Sequence, residues 1–302
     1  MKSGRFVGPD RAAVVGNIRR AVAAKAFNIK VEEHDPVFSK SEEQRIVTHY
    51  LQQRRDKLFK LKTLVCRLVV NAYALQVTKD VEVVGVDKIR GIKSGGVITS
   101  NHFSPFENMA VRKAVHLAGR HRMYIVSQDT NLAMKGLLGF VMKYDDTIPL
   151  SGRPSFLNGP FKQMLNAAFA GHHWVLIYPE QEMWFNYRKP RPPKRGAYFY
   201  AAEAGVPIIS CFTEIRDLPV RENQQLREVR YILHVLDPIY PDPKLSARDN
   251  SFYMMQRDYV QKCQAYMAAY GKTLSYAFTQ QDIAGWDPNC LLYTSDAADD
   301  KA

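Results

Sequence analysis

The chain has 302 residues, 46% of them hydrophobic, which excludes an intrinsically disordered protein and leaves room for one large domain or two small ones with a sizeable core. Lysine and arginine number 42 against 30 acidic residues, and the resulting charge of +12 favours an anionic partner: nucleic acid, an anionic lipid surface or a phosphorylated substrate. The 4 cysteines form no CxxC pair, so neither a zinc site nor a disulfide framework is expected.

From Met1 to Lys30 charges interrupt the sequence every few positions, leaving no apolar core for a signal peptide, and a cytoplasmic protein is expected. No run reaches the roughly 18 uninterrupted apolar residues that mark a spanning helix. Residues 1–40 read as a basic helix, "AAVVGNIRRAVAAKAF", followed by the turn-like "EEHDPVF". Ser41 and Gln44 then form a capping-box pattern, opening a helix from about Glu42 to Thr78. Within it Leu58, Leu61, Val65, Leu68, Ala72 and Leu75 recur at steps of three and four and share one face, accompanied by Lys57, Lys60, Lys62 and Arg67. Such a helix either lies in a membrane interface or packs on the domain with its lysine stems over the edge, and the pattern leaves both open.

From Val81 the rhythm changes. The short β-rich runs "VEVVGV", "GGVITSN", "RMYIVSQ", "HWVLIYP", "VPIISCF" and "VRYILHVLDPIY" alternate with helical patterns near 105–118, 132–141, 155–170, 194–204 and 251–270. This predicts an α/β fold, a mixed, mostly parallel sheet flanked by helices. The expected organisation is a helical segment over 1–80, an α/β domain over 81–245 and a carboxy-terminal helix packed on it over 246–289. The last stretch, "CLLYTSDAADD", resembles a translated sequencing adapter, so 290–302 are set aside as a scar; the other reading is an acidic disordered tail. Without that tail the charge becomes +14, since it holds one lysine and three aspartates.

In "SNHFSPFEN" a strand ends near Ser100 and Pro105 suits the first position of a helix. Ser104 and Glu107 form S-x-x-E, a capping box, while His102 taken alone reads as a satisfied loop histidine. Two further stretches point to chemistry. In "WVLIYPEQEMW", Glu180 follows a buried strand, where functional groups gather in α/β sheets, and "YRKPRPPKRG" is a cationic loop.

Taken in order, these blocks resemble the lysophospholipid acyltransferase family, and the bacterial 1-acylglycerol-3-phosphate acyltransferases in particular. His102 and Glu107, preceded by Asn101, resemble its H-x4-D block; "TIPLSGR", ending at Arg153, resembles the second block; "YPEQ", from Tyr178 to Gln181, resembles F-P-E-G; and "VPIIS", with Pro207, resembles the closing V-P block. Glu107 stands where most relatives have aspartate. After Glu180 the usual Gly-Thr-Arg is replaced by Gln181, Glu182 and Met183, so Arg188, Lys189 and Arg191 downstream are the expected replacements for the missing arginine.

The resemblance implies transfer of a fatty acyl group from acyl-CoA or acyl-acyl carrier protein to the sn-2 hydroxyl of lysophosphatidate, with no cofactor, no metal and no nucleic acid. His102 is the implied base and Glu107 its orienting acid. Amides from Ser104 to Phe106 are expected to face the oxyanion. Asn101, Ser104, Arg153, Glu180, Arg188, Arg191 and Pro207 are the implied substrate-binding residues, with Glu180 on the glycerol portion and the arginines on the phosphate. The amino-terminal helices are implied to contact the cytoplasmic face of the membrane without spanning it. The alternatives are the same fold acting on glycerol 3-phosphate or another lysolipid, and a non-enzymatic basic module for nucleic acid or anionic lipid.

Overall fold

The computed structural model of the chain describes residues 11–33 and 38–287; the adapter-like tail and part of the turn after Glu33 lie outside them. Seven strands form one sheet in the order β1-β7-β6-β2-β5-β3-β4. They are β1 (Glu82–Val84), β2 (Gly96–Thr99), β3 (Met123–Gln128), β4 (Thr147–Leu150), β5 (Trp174–Leu176), β6 (Ile208–Arg221) and β7 (Arg227–Val235). All neighbours run parallel except β6 and β7. The mixed, mostly parallel α/β sheet expected from the alternating pattern is what forms.

Every residue of β2 and β5 is buried, as central parallel strands require when helices cover both faces. Successive side chains alternate between two cores: Ile98 joins Ala110, Val111 and Ala114 on one face, and Val97 joins Leu165, Ala168, Tyr198 and Met254 on the other. The first face is covered by α5 (Asn108–Leu117) and the second by α8 (Lys162–Ala170), α9 (Gly196–Glu203) and α10 (Ala247–Tyr270). The remaining helices in chain order are α1 (Arg11–Ala23), α2 (Lys40–Gln53), α3 (Lys57–Val77), α4 (Asp87–Arg90), α6 (Gly136–Tyr144) and α7 (Pro154–Phe156).

Three local expectations change. The helix expected over 42–78 is two helices, and the capping box that opens α2 is Ser39 with Glu42 rather than Ser41 with Gln44. The "TIPL" run is a strand, β4; its Pro149 is tolerated because β4 lies at the sheet edge, where a missing amide breaks only one ladder. The strand beginning at Ile208 continues far past Phe212, to Arg221, as one arm of an antiparallel hairpin with β7.

The amino-terminal helices do two different things. From α1, Val14, Val15, Ile18 and Val22 are buried against Trp184, Phe185, Tyr187, Ile283 and Trp286, so this helix belongs to a core. In α3 the buried residues are Phe59, Cys66, Val70 and Ala74, while Leu58, Leu61, Val65 and Leu75 from the periodic face, together with Leu64 and Val69, are exposed, and Leu68 is 61% exposed. Leu137 and Leu138 of α6 are also exposed. Among the described residues no helix is long and apolar enough to cross a membrane.

Candidate active site

The loop leaving β2 carries Asn101, His102, Phe103 and Ser104, and the stretch leaving the adjacent β5 carries Tyr178, Pro179 and Glu180, so both arrive at the carboxy-terminal edge of the sheet. This is where ligand crevices open in α/β sheets. Asn101 is buried and pairs with the backbone of Thr213 in β6, its amide donating to the carbonyl oxygen at 3.0 Å and its side-chain oxygen accepting the Thr213 amide at 2.8 Å. It fixes the loop to the sheet and has no face left for substrate.

Glu107 makes two sets of contacts, to the histidine and to the backbone of the turn before α5, with a different oxygen for each. Its Oε2 accepts the backbone amides of Phe103 and of Ser104, the latter at 2.7 Å, while Oε1 contacts Nδ1 of His102. The carboxylate side chain is 1% exposed and the imidazole 21%. Nε2 of His102 has no protein partner among the described residues, so the outer ring nitrogen is open. Ser104 contributes half a capping box, its hydroxyl accepting the Phe106 amide at 3.3 Å, and the regular helix starts only at Asn108.

These bonds overturn one expectation. The amides of Ser104 and Phe106 are occupied by Glu107 and by the Ser104 hydroxyl, and Pro105 has none, so this turn cannot supply the oxyanion donors.

Below the imidazole lies the ring of Tyr178, stacked with centroids 4.0 Å apart and planes 9° from parallel. Burial, and then the nearby Glu107 carboxylate, push the Tyr178 hydroxyl well above its ordinary pKa, so it stays protonated. Stacking leaves the imidazole one free face and fixes its plane relative to Glu107. Position 178 sits in the block the sequence singled out, but its contact with His102 across |i−j| of 76 residues has no local signature.

Glu180 and Arg191 turn inward. Oε2 of Glu180 accepts the His102 amide at 3.2 Å and Nε of Arg191 at 3.0 Å, and Oε1 accepts the Arg191 amide at 2.8 Å. The Arg191 side chain is completely buried. Its donors also reach the carbonyls of His102 and Phe27, at 3.2 and 2.8 Å, and the carbonyl of Glu182. Neither group has a face open to a glycerol or a phosphate. Arg188 pairs with Asp217 and donates to the Gln281 carbonyl, and Lys189 pairs with Asp282. The downstream cations therefore hold the carboxy-terminal segment and do not replace the arginine missing after Glu180. Pro207 is also removed from the site: its carbonyl accepts the Val97 amide at the amino-terminal end of β2 and β6, opposite the edge where His102 lies.

Arg153 stays at the correct edge. It follows β4, three strand spacings from β2, roughly 14 Å across the sheet. It is half-buried over the Phe156 ring and, among the described residues, has only Ser151 as a hydrogen-bond partner, so its charge is available. Lys194 and Arg195 are exposed on the rim, where the Lys194 amide donates to the Pro179 carbonyl at 2.7 Å.

Gln181 has φ of +69°, a left-handed backbone that costs a side-chain-bearing residue roughly 1–2 kcal/mol. This is the position where the resembling block has glycine, and the turn geometry is kept although the residue is not.

Residues 80–214 match the Acyltransferase family model. The chain carries an acyltransferase-family domain. Within that domain lie both His102 and Glu107 and all four of the sequence blocks. No curated protein matches the chain. Among solved structures, the 1-acyl-sn-glycerophosphate acyltransferase PlsC from Thermotoga maritima is similar with a TM-score of 0.49 and 13% identity, over 86% of this chain and 99% of that one. For the acyltransferase domain, the chemical content of the site is a buried carboxylate, an imidazole held by it at Nδ1 and open at Nε2, and a stacked tyrosine beneath.

Proposed function

We propose that this acyltransferase moves a fatty acyl group from an acyl thioester to the sn-2 hydroxyl of lysophosphatidate, at the cytoplasmic surface of an anionic membrane. The observation that carries the reading is the His102–Glu107 pair with its outward Nε2. Glu107 accepts at Nδ1, so the neutral imidazole keeps its proton there and Nε2 is free to act as base. Nε2 takes the hydroxyl proton as the acceptor oxygen attacks the thioester carbonyl carbon. The tetrahedral intermediate then collapses, the C–S bond breaks, and the departing thiolate takes the proton from the imidazolium. Glu107 stabilises that imidazolium while it lasts.

No enzyme nucleophile is needed, and the two buried cysteines do not suit one. Burial pushes the thiols of Cys66 and Cys211 up to about 12. A group with that value is almost wholly protonated near neutral pH and so is a poor nucleophile.

Support for the anionic substrates comes from the charge of +12 and from cations at the site edge with no ion pair among the described residues, Arg153 first and Lys194 and Arg195 on the rim. Acyl-CoA and acyl-acyl carrier protein are both anionic and suit the same surface. Support for the membrane comes from the outward apolar face of α3 beside Leu137 and Leu138, with Lys57, Lys60 and Lys62 at its margin.

The purified chain given a panel of acceptors, lysophosphatidate, glycerol 3-phosphate and uncharged lysolipids, with each thioester donor, tests the reading. Lysophosphatidate is expected to have the highest kcat/KM, and Arg153→Ala to raise its KM by about tenfold, the scale of one lost charged contact. Equal turnover of phosphorylated and unphosphorylated acceptors would assign the domain to another lysolipid.

A further inference from the structure

We propose that Glu180 and Arg191 are positioning residues for His102, and that the backbone from Phe27 to Ile29 is a strap that completes their clamp. The assignment rests on His102 being the catalytic base.

The side-chain bonds of this pair end on the loop that carries His102, on the stretch after Glu180 and on the amino-terminal strap. Glu180 takes the His102 amide, and Arg191 takes the His102 carbonyl, so one buried ion pair grips the peptide groups on both sides of the catalytic residue. Two further bonds continue the grip: the amides of Trp184 and Asn186 donate to the carbonyls of His102 and Phe103, each at 3.0 Å. The Arg191 guanidinium lies over the Trp184 ring at 4.5 Å. A planar fork with donors in several directions suits such a hub, whereas a lysine offers a single point.

The far side of the hub is the amino-terminal strap. Phe27 supplies a carbonyl to Arg191 at 2.8 Å, and Ile29 supplies one to the Trp184 indole at 3.0 Å. The Asn28 side-chain amide donates to the backbone carbonyls of Glu180 and Pro192, at 3.3 and 2.9 Å. The strap is held in turn by α1, whose apolar face is buried against Trp184 and its neighbours. A carboxylate with both oxygens and a guanidinium with all three nitrogens so engaged cannot turn to a substrate phosphate without loosening the loop that carries His102.

The test compares Arg191→Lys, which keeps the charge and loses the fork, with Asn28→Ala, which leaves the ion pair and removes a strap contact. For each, kcat and KM per folded molecule are measured with lysophosphatidate, alongside hydrogen exchange of the peptide covering 101–107. The expected result for Arg191→Lys is a kcat lower by about 10²-fold, the cost of a misplacement near 1 Å, with acceptor KM within about twofold. Loop amides should exchange about tenfold faster, as local opening becomes easier. Asn28→Ala should move both readouts in the same direction by less, and it alone carries the test should Arg191→Lys not fold. A tenfold rise in KM for the phosphorylated acceptor with kcat preserved would overturn the proposal and make Arg191 a phosphate ligand. Unchanged kcat and unchanged loop exchange would reduce the clamp to scaffold. Should the wild-type chain show no acyl transfer at all, the exchange comparison still decides the clamp, and the failure belongs to the functional reading.

Discussion

A carboxylate that caps the amides of a turn and a carboxylate that holds an imidazole are usually different residues, and Glu107 divides the two contacts between its oxygens. Glu107→Gln is informative for that reason. With the amide oxygen kept on the two backbone donors, the NH2 group must face Nδ1 of His102, which then accepts, and the imidazole proton moves to Nε2. The base nitrogen is blocked while the cap survives. The expected outcome is a kcat lower by about 10⁴, as for the equivalent change in a serine triad, with a stability loss of about 1–2 kcal/mol. Glu107→Asp should retain partial activity. Melting curves beside steady-state kinetics check both, and a near-normal kcat for Glu107→Gln would leave the residue as a cap alone. At this scale the H-x4-E spacing was legible because both partners lie within one turn of chain. Arg191 is visible in the sequence as a loop cation, but nothing local shows that a charge at that position is buried, so its place behind His102 is not legible there. Asn28 was invisible, its partners lying more than 150 residues away.

Among the elements, α3 is where periodicity and burial part company. The stripe from Leu58 to Leu75 has the spacing of a core face, yet the packed residues are Phe59, Cys66, Val70 and Ala74. Sequence supplied the stripe and not the side of the helix that meets the protein, since both faces of α3 hold enough apolar residues to be buried. Vesicles containing anionic lipid should bind the chain in a salt-sensitive manner, because exposed charge attraction is screened. Replacing Leu61 and Leu68 together by glutamate should lower partitioning by about 10²-fold, as each buried leucine contributes roughly 1.5–3 kcal/mol. Sedimentation or flotation with vesicles measures it, and unchanged binding would remove α3 from the contact. The sheet elements were mostly legible from alternation and turn residues. β4 was not read as a strand because Pro149 argues against a ladder position, a rule that holds for central strands and relaxes at an edge.

At the scale of the molecule, the amino-terminal segment is divided between two surroundings that composition cannot distinguish. Both α1 and α3 are basic and amphipathic, but α1 closes a core and supports the strap, and α3 presents leucines outward. Removing residues 1–33 should therefore unfold the domain, because Val14, Val15, Ile18 and Val22 together bury apolar surface worth on the order of 5–10 kcal/mol, close to the whole margin of a typical domain. Thermal denaturation followed by circular dichroism reads this directly, and a truncated chain melting within a few degrees of the intact one would show that α1 merely rests on the surface. The order of the sequence blocks was enough to find the family, and all four blocks lie inside the matched residues 80–214. The expectation for Arg188, Lys189 and Arg191 fails because it depends on which charges the fold consumes internally. All of these readings converge on one nitrogen. The most direct test of the account is the turnover of lysophosphatidate by His102→Ala beside the wild-type chain, with acyl-CoA and with acyl-acyl carrier protein. The account predicts a kcat lower by about 10²–10⁴ with an unchanged melting temperature. A folded His102→Ala variant that retained more than roughly a tenth of wild-type kcat would contradict it.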